Sequence, residues 1–353
     1  MRDPDYAILA VLNSNSLSAM KIEYATTRDR RELLDFLLAI FRAARPDHPP
    51  FEDIYPDLFL EDDEVLGRHA VIREEGRIAA CVGTYLIPAR LGGCEVVTAG
   101  VGQVATAPAA RGKGYMSALL EHELARCREE GAAIAWLGGR RDRYAHFGFD
   151  CAGLSFDYNI DGHALRGIPR TRTVRHADPL ADGALTPEIF RQRALHADTA
   201  VVPYETYRLQ MTRLGFQFEI WSAQPAGAAA PDAWAVVNAK NNRVEEWWGS
   251  ADGRMEILSA YCAERGRVIR NESPADQEMN ALLREHCFVW GPRSRSLAVL
   301  DAPRLLAALA PFVPAGFSLP EDTTPSPALT RLLMGPGRDT ACLPFYMPDI
   351  FHV

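Results

Sequence analysis

A glycine-rich, basic turn is the segment of this sequence best suited to chemistry. Arg111, Gly112, Lys113 and Gly114 follow a Val-rich stretch and directly precede a helical pattern, so the order strand, turn, helix is expected. The first amides of a helix lack intrahelical acceptors, and the macrodipole adds about half a positive charge there. Glycines let the backbone approach a ligand closely, and the two cations add charge-assisted contacts. The turn therefore suits a pyrophosphate.

An ordinary strand-to-helix connection with two solvated cations is the competing interpretation, because short turns of glycine and basic residues are common. Three neighbouring features together favour the pyrophosphate: the Val-rich strand, Pro108 three residues before Arg111, and the apolar helix that follows. The sequence has neither the Lys-Ser/Thr pair of a P-loop after the glycines nor GxGxxG after a first strand. Both common nucleotide-binding loops are therefore excluded.

The elements around this turn form a mixed α/β pattern. In the first half the order is β-α-βββ-α-β-α-β, with apolar stripes from Leu33 to Phe41 and from Met116 to Cys127 marking the helices. Strands are predicted at 22–24, 69–73, 78–87, 94–106, 134–137 and 154–160. The second half repeats this order, with a helix at 204–214, strands at 218–223, 234–238 and 255–261, and a helix opened by residues 273–276. A degenerate structural repeat is the prediction.

Composition and charge narrow the function classes. The 353 residues include 46 acidic and 38 basic ones, a net charge of −8, which disfavours nucleic acid or anionic membranes as partners and suits a cationic acceptor. No apolar run approaches the ~20 residues of a membrane-spanning helix. The seven cysteines form no CxxC pair, which favours buried thiols in a reducing cytosol over a structural zinc. We expect a soluble, cytoplasmic protein without a metal.

Two separated motifs resemble the GNAT superfamily (Gcn5-related N-acetyltransferases). Its signature at this turn is Arg/Gln-x-x-Gly-x-Gly/Ala, which Arg111 and Gly114 match. Met116 departs from the last position, and a large apolar residue there is similar to the Eis group (enhanced intracellular survival acetyltransferases). The segment Tyr-Ala-His-Phe-Gly-Phe, residues 144–149, also resembles that group's Tyr-Gly-x-Phe-Gly-Tyr. The resemblance covers residues 22–160. The rest of the chain is similar to the Eis group only in the layout of its domains.

The resemblance implies an organisation in four parts. Because the periodic pattern begins only at residue 21, a flexible tail is expected at 1–20, and the resemblance makes 21–165 an acetyl-CoA-binding catalytic GNAT domain. Residues 185–302 would be a degenerate GNAT-like domain, so the fold class is α/β with a mixed sheet and tandem domains. Residues 303–353 would form a short segment that closes the active site. The acidic stretch at 271–276, before a helix of the second half, would repel pyrophosphate, so one acetyl-CoA per chain is expected.

The resemblance also implies roles for individual residues. The backbone of the strand end binds pantetheine and polarises the thioester, and the turn holds the pyrophosphate. The expected cofactor-binding residues are Val104, Ala105, Thr106, Arg111, Gly112, Lys113, Gly114, Tyr115 and Met116. Tyr144 would protonate the departing thiolate, although a packing aromatic also explains it. The terminal carboxylate of Val353 would act as base, with His352 as the alternative.

The function expected is an acetyl-CoA-dependent N-acetyltransferase that acts on a primary amine of a small molecule or peptide by direct transfer. The alternatives are a tandem GNAT that acylates a thiol-precursor amine, as mycothiol synthase does, and a non-catalytic acyl-CoA-binding regulatory module. Acidic residues between 52 and 64 and the run Glu-Glu-Trp-Trp at 245–248 are candidates for acceptor binding, with solvated faces or core packing as the rival explanations. The sequence does not identify the acceptor amine, the preferred acyl chain or whether the protein forms a homo-oligomer.

Overall fold

The computed structural model describes residues 20–195, 198–287, 289–335 and 343–345. These residues form two compact units. The first consists of residues 20–85 and 101–130, and the second consists of residues 86–100 and the described residues from 131 onward. Each unit combines strands and helices, so the predicted mixed α/β class is confirmed. The domain boundaries at 165 and 185 stay predictions.

The first unit contains the turn and the elements that hold it. Along the chain its helices and strands are β1 (Ile22–Tyr24), α1 (Arg30–Ala44), α2 (Phe51–Ile54), α3 (Asp63–Leu66), β2 (His69–Glu74), β3 (Arg77–Leu91), β4 (Cys94–Thr106) and α4 (Tyr115–Glu129). The later part of β3 and the earlier part of β4 belong to the second unit. Strands β1, β2 and β3 pair antiparallel in that order, as a meander requires.

A buried carboxylate fastens α4 within the first unit. Leu119, Leu120 and Leu124 form its buried face, as the apolar stripe predicts. On the same helix Glu123 is fully buried, where it accepts hydrogen bonds from Arg126 Nη2 at 2.7 Å and from Tyr24 Oη at 3.0 Å. A buried carboxylate of this kind persists only because it is paired and hydrogen-bonded. These contacts fix the direction in which the helix N-terminus points.

The second unit carries the remaining elements. They are β5 (Ile134–Leu137), α5 (Arg141–Tyr144), β6 (Asp150–Asp161), β7 (Arg172–Ala177), α6 (Pro187–Arg193), β8 (Thr199–Ala200), α7 (Tyr204–Gln210), β9 (Phe218–Pro225), β10 (Ala233–Asn238), β11 (Arg243–Gly249), α8 (Ala251–Arg265), β12 (Arg267–Glu272), α9 (Gln277–Glu285), β13 (Val289–Val299), α10 (Ala302–Ala308) and α11 (Pro327–Met334). From β7 to β13 the order repeats that of the first half, apart from the short β8 and one helix fewer after the first strand, which agrees with the predicted structural repeat.

Two strands are exchanged between the predicted tandem domains. The sheet of the second unit runs β5-β13-β6-β12-β11-β10-β9-β7. Strand β13 lies antiparallel between β5 and β6, while β6 pairs antiparallel with β12. The last strand of each repeat thus pairs with the other repeat. Strand β11 runs parallel to β12 and pairs with it only at its first two residues, Arg243 and Val244.

The strand predicted at Met255–Tyr261 is wrong. These residues lie inside α8, whose side chains at Met255, Ile257 and Leu258 are buried in the core under β9 to β12. A short apolar run cannot distinguish a buried strand from a buried helix, because every side chain is apolar in both. Strands β9 and β10 pair antiparallel, and the third strand of this antiparallel series is β11. Consequently, the helix that corresponds to α4 is α8, and not the helix after residues 273–276.

Candidate functional site

The glycine-rich turn leaves the N-terminus of α4 open. Gly112 and Gly114 both have φ +80°, a left-handed conformation that favours glycine, and no atom beyond their chain neighbours lies within 4 Å of a Cβ built on either. Gly114 is the N-cap and supplies no side-chain cap. The first amide with a helical acceptor is that of Ala118, which donates to Gly114 O at 3.0 Å. Within the described residues, the amides of 112–117 have no acceptor.

The two cations of the turn differ in their partners. Lys113 Nζ lies 2.6 Å from Glu74 Oε1, which also accepts a hydrogen bond from Tyr115 Oη at 2.5 Å. The hydrogen bond from Lys113 holds the pKa of Glu74 below its ordinary value and raises the pKa of Lys113, so this pair is charged at neutral pH. Arg111 is exposed and has no ion-pair partner in the described part of the chain. Its guanidinium is therefore available for an anion.

The residues predicted to bind the thioester through their backbone lie at the end of β4. Ala105 is buried, while Val104 and Thr106 are half-buried at the edge of the first unit's interior. The residue before them, Gln103, has φ +48°, although it is not a glycine. Such strain persists only where the surrounding structure holds it. The strained position therefore sets the orientation of the backbone that follows.

A buried network missed by the sequence analysis holds Gln103 in place. Tyr85 Oη lies 2.7 Å from Gln103 Oε1 and 2.8 Å from His69 Nε2, and all three side chains are buried. Gly83 makes room for it, since a Cβ there would lie 2.6 Å from both Gln103 Oε1 and Tyr85 Oη. Burial lowers the pKa of His69 to about 4, so the imidazole is neutral. In the sequence, the only signs of this network are Gly83 and Gln103, a glycine and a polar residue within strand patterns that are otherwise mostly apolar.

Tyr144 belongs to the second unit. It ends α5, its side chain is buried, and its ring packs against Phe149 with 6.1 Å between the ring centroids. Gly139 is required beside it, because a Cβ at that position would lie 2.4 Å from the Tyr144 ring. Burial raises the pKa of Tyr144, while Arg143 opposes this effect. The phenol is therefore protonated at neutral pH, which is the state a general acid needs.

A buried carboxylate positions the helix that carries Tyr144. Asp150, at the start of β6, lies 2.5 Å from Arg141 Nε on α5 and 3.1 Å from Arg331 Nε on α11. It also accepts a hydrogen bond from the amide of Cys151 at 2.8 Å. The predicted bases Val353 and His352 lie outside the described residues.

Several of the residues that were candidates for acceptor binding have structural roles. Asp62 caps α3 with its own carboxylate. The run at 245–248 lies in β11, and its side chains are buried. Glu246 accepts hydrogen bonds from Arg193 Nε at 2.6 Å, Thr199 Oγ1 at 2.8 Å and Tyr207 Oη at 2.9 Å. Core packing thus accounts for this run.

Comparison with known families identifies the domain in which these residues lie. Residues 21–152 match the family model of the acetyltransferase (GNAT) domain. The chain carries a GNAT acetyltransferase domain. The matched segment includes the open turn, the end of β4 and Tyr144, so the predicted GNAT acyltransferase is confirmed. Among the described residues, no helix is long and apolar enough to cross a membrane.

Solved structures resemble the fold of this protein over most of its length. A conserved protein from Enterococcus faecalis V583, described as a probable N-acyltransferase, aligns with a TM-score of 0.63 and 14% identity over 82% of this chain and 75% of that one. A GCN5-related N-acetyltransferase from Anabaena variabilis has a TM-score of 0.61 and 18% identity over 82% and 75%. Eis1 from Mycobacterium abscessus has a TM-score of 0.57 and 18% identity over 82% and 76%. At these identities the likeness concerns the fold. No curated protein matches the chain significantly.

Proposed function

We propose that the protein transfers an acetyl group from acetyl-CoA directly to a primary amine of a small molecule or peptide. The observation that carries this proposal is the run of backbone amides at 112–117, which have no acceptor in the described part of the chain. These donors lie at the positive, N-terminal end of a 15-residue helix. They suit the diphosphate of coenzyme A better than any neutral ligand.

Side chains of the turn extend this anion site. Arg111 is exposed and carries a fixed positive charge that can bind a phosphate with two hydrogen bonds. Lys113 already shares its charge with Glu74, so it contributes less. The absence of a Cβ at Gly112 and Gly114 lets phosphate oxygens approach the backbone closely.

Two further groups fit acyl transfer. The backbone at Val104, Ala105 and Thr106 would bind the pantetheine arm and polarise the thioester carbonyl, with the strained Gln103 fixing its direction. In the reaction the amine nitrogen attacks the carbonyl carbon, the carbon–sulfur bond breaks, and the sulfur takes up a proton. Tyr144 would donate that proton, since its buried phenol is protonated at neutral pH. The attacking amine would release its own proton to water as the amide bond forms.

An acceptor panel tests the proposal. Release of free thiol from acetyl-CoA is measured with small-molecule amines and lysine-containing peptides, and the acetylated product is identified by mass spectrometry. We expect amine-dependent thiol release at one acetyl-CoA per chain. Tight binding of acetyl-CoA without turnover on any amine would instead favour an acyl-CoA-binding regulatory module. Failure to bind acetyl-CoA would contradict the proposal altogether.

A further inference from the structure

The terminal amide of Gln103 has a hydrogen-bond partner for only one of its two polar atoms. Gln103 is 4% exposed and directly precedes the end of β4 at 104–106. One amide atom lies 2.7 Å from Tyr85 Oη. The other makes no hydrogen bond in the described part of the chain but keeps accessible surface. A buried side chain thus presents one polar atom to a ligand.

His69 decides which of the two amide atoms is accessible. Its Nδ1 lies 3.1 Å from Leu66 O, and a carbonyl oxygen only accepts, so Nδ1 carries a proton. Burial lowers the pKa of His69 to about 4, so the ring has only this proton at neutral pH and Nε2 is an acceptor. Tyr85 Oη, 2.8 Å from Nε2, therefore donates its single proton to His69.

Tyr85 has no second proton for Gln103, so Gln103 must donate to Tyr85. The oxygen and the nitrogen of a glutamine amide are distinguished by their hydrogen-bond partners. The nitrogen of Gln103, rather than Oε1, therefore lies beside Tyr85 Oη, and the carbonyl oxygen takes the accessible position. The opposite direction of donation would bring two acceptors, Nδ1 of His69 and Leu66 O, together without a hydrogen between them.

The surrounding residues leave this oxygen little freedom to move. The backbone of Gln103 is held at φ +48°. Gly83 lies so close to the amide that a Cβ there would be 2.6 Å from it. The His69 ring packs in turn against Phe59, with 4.9 Å between the ring centroids. An acceptor that is already ordered loses little further entropy when it binds a ligand.

The position of Gln103 along β4 corresponds to the acyl end of the cofactor. In the proposed function the diphosphate binds at 112–117 and the pantetheine arm at 104–106, so the thioester lies at the end of this path that is nearer to Gln103 in the chain. The attacking amine approaches there with its lone pair towards the carbonyl carbon, and its N–H groups then need acceptors. A neutral carbonyl suits this need, whereas a carboxylate would favour the ammonium form, which has no lone pair.

We propose that the side-chain carbonyl of Gln103 binds the acceptor amine by accepting one of its N–H groups, and that Tyr85 and His69 are positioning residues that orient this carbonyl. The inference rests on the proposed transferase function and deepens it by assigning a contact to the amine. As the carbon–nitrogen bond forms and the carbon–sulfur bond breaks, the N–H group bound to Gln103 remains in the amide product. The second proton of the amine is released to water, and the sulfur takes up a proton.

Two variants test the contact with the amine. Gln103→Met keeps the length of the side chain without its amide, and Tyr85→Phe keeps Gln103 but removes the group that orients it. With the amine that is acetylated fastest in the acceptor panel, both variants should lower kcat/KM for the amine by about fivefold or more. The Kd for acetyl-CoA, measured by calorimetry, should stay at the wild-type value, because the amides at 112–117 are unchanged.

Tyr158→Phe is the matched control for Tyr85→Phe. It removes another buried phenol, which donates to Asn280 Oδ1 at 2.8 Å in the second unit, and should change neither quantity. Wild-type kcat/KM in Gln103→Met, equal losses in all three variants, or a raised Kd for acetyl-CoA would overturn the proposal. Absence of turnover by the wild type on every amine would instead contradict the transferase function itself.

Side-chain amide NMR tests the orientation of Gln103 without any substrate. In protein labelled with ¹⁵N in its glutamine side chains, the NH₂ signal of Gln103 is the one that Tyr85→Phe perturbs and Gln103→Met removes. We expect this signal to exchange slowly with deuterium oxide in the wild type and faster in Tyr85→Phe, because the nitrogen is buried against Tyr85. Exchange in the wild type as fast as that of the exposed Gln277 would place the nitrogen in the accessible position and overturn the proposal.

Discussion

Replacing Gly114 by alanine tests the open amides of α4 with a single methyl group. Gly114 has φ +80°, where an L side chain costs roughly 1–2 kcal/mol of stability. No clash adds to that cost, since a Cβ there meets no atom within 4 Å. The methyl would stand where phosphate oxygens approach the amides. Loss of one charge-assisted hydrogen bond, about 1.5–3 kcal/mol, corresponds to a rise of roughly 10- to 150-fold in the Kd for acetyl-CoA, measured by calorimetry.

Gly227→Ala is the matched control for this variant. Gly227 lies in the turn between β9 and β10 with φ +76° and no atom within 4 Å of a Cβ. It should lose a similar amount of stability in thermal unfolding but bind acetyl-CoA like the wild type. If folded Gly114→Ala also binds with unchanged Kd, the amides are not the diphosphate site and the reasoning fails.

Three further predictions concern charge, catalysis and pH. Arg111→Gln should raise the Kd for acetyl-CoA more than Lys113→Gln, because Lys113 is paired with Glu74; the reverse order in the same titration would contradict this. Tyr144→Phe should lower kcat by about 10²- to 10⁴-fold with unchanged acetyl-CoA binding, and an unaltered kcat would exclude its role as acid. Burial lowers the pKa of His69 from 6.5 in the unfolded chain to about 4 in the folded protein. Below pH 6.5 the unfolded chain therefore takes up a proton that the folded protein does not, and the free energy of unfolding falls by about 3 kcal/mol between pH 6.5 and pH 4. Glutamine does not titrate, so the free energy of unfolding of wild type minus that of His69→Gln, measured in urea, should decrease as the pH is lowered from 6.5 to 4. A difference that stays constant over this range would refute the effect.

Local patterns predicted most elements of the first half. Strands β4 and β5 have the predicted bounds, 94–106 and 134–137, because a glycine or a proline lies within three residues of each strand end. Helix α4 followed from its apolar stripe and from the glycines before it. The cofactor turn was predictable for the same reason, since its residues are contiguous in the chain.

Contacts between distant residues were not predictable. Insertion of β13 between β5 and β6 depends on strand pairing over 130 residues or more, and no local pattern specifies the partner of an apolar strand. The network of Gln103, Tyr85 and His69 likewise joins separate strands. The pairing of Lys113 with Glu74 spans 39 residues, so the sequence alone assigned both cations of the turn to phosphate.

The most direct test of the central claim is amide NMR of the isotope-labelled protein during titration with coenzyme A. The account predicts that the amides of residues 112–117 shift and gain protection from hydrogen exchange as the ligand reaches one equivalent per chain. Saturating coenzyme A that leaves these amides unchanged, or that perturbs only residues elsewhere, would contradict it.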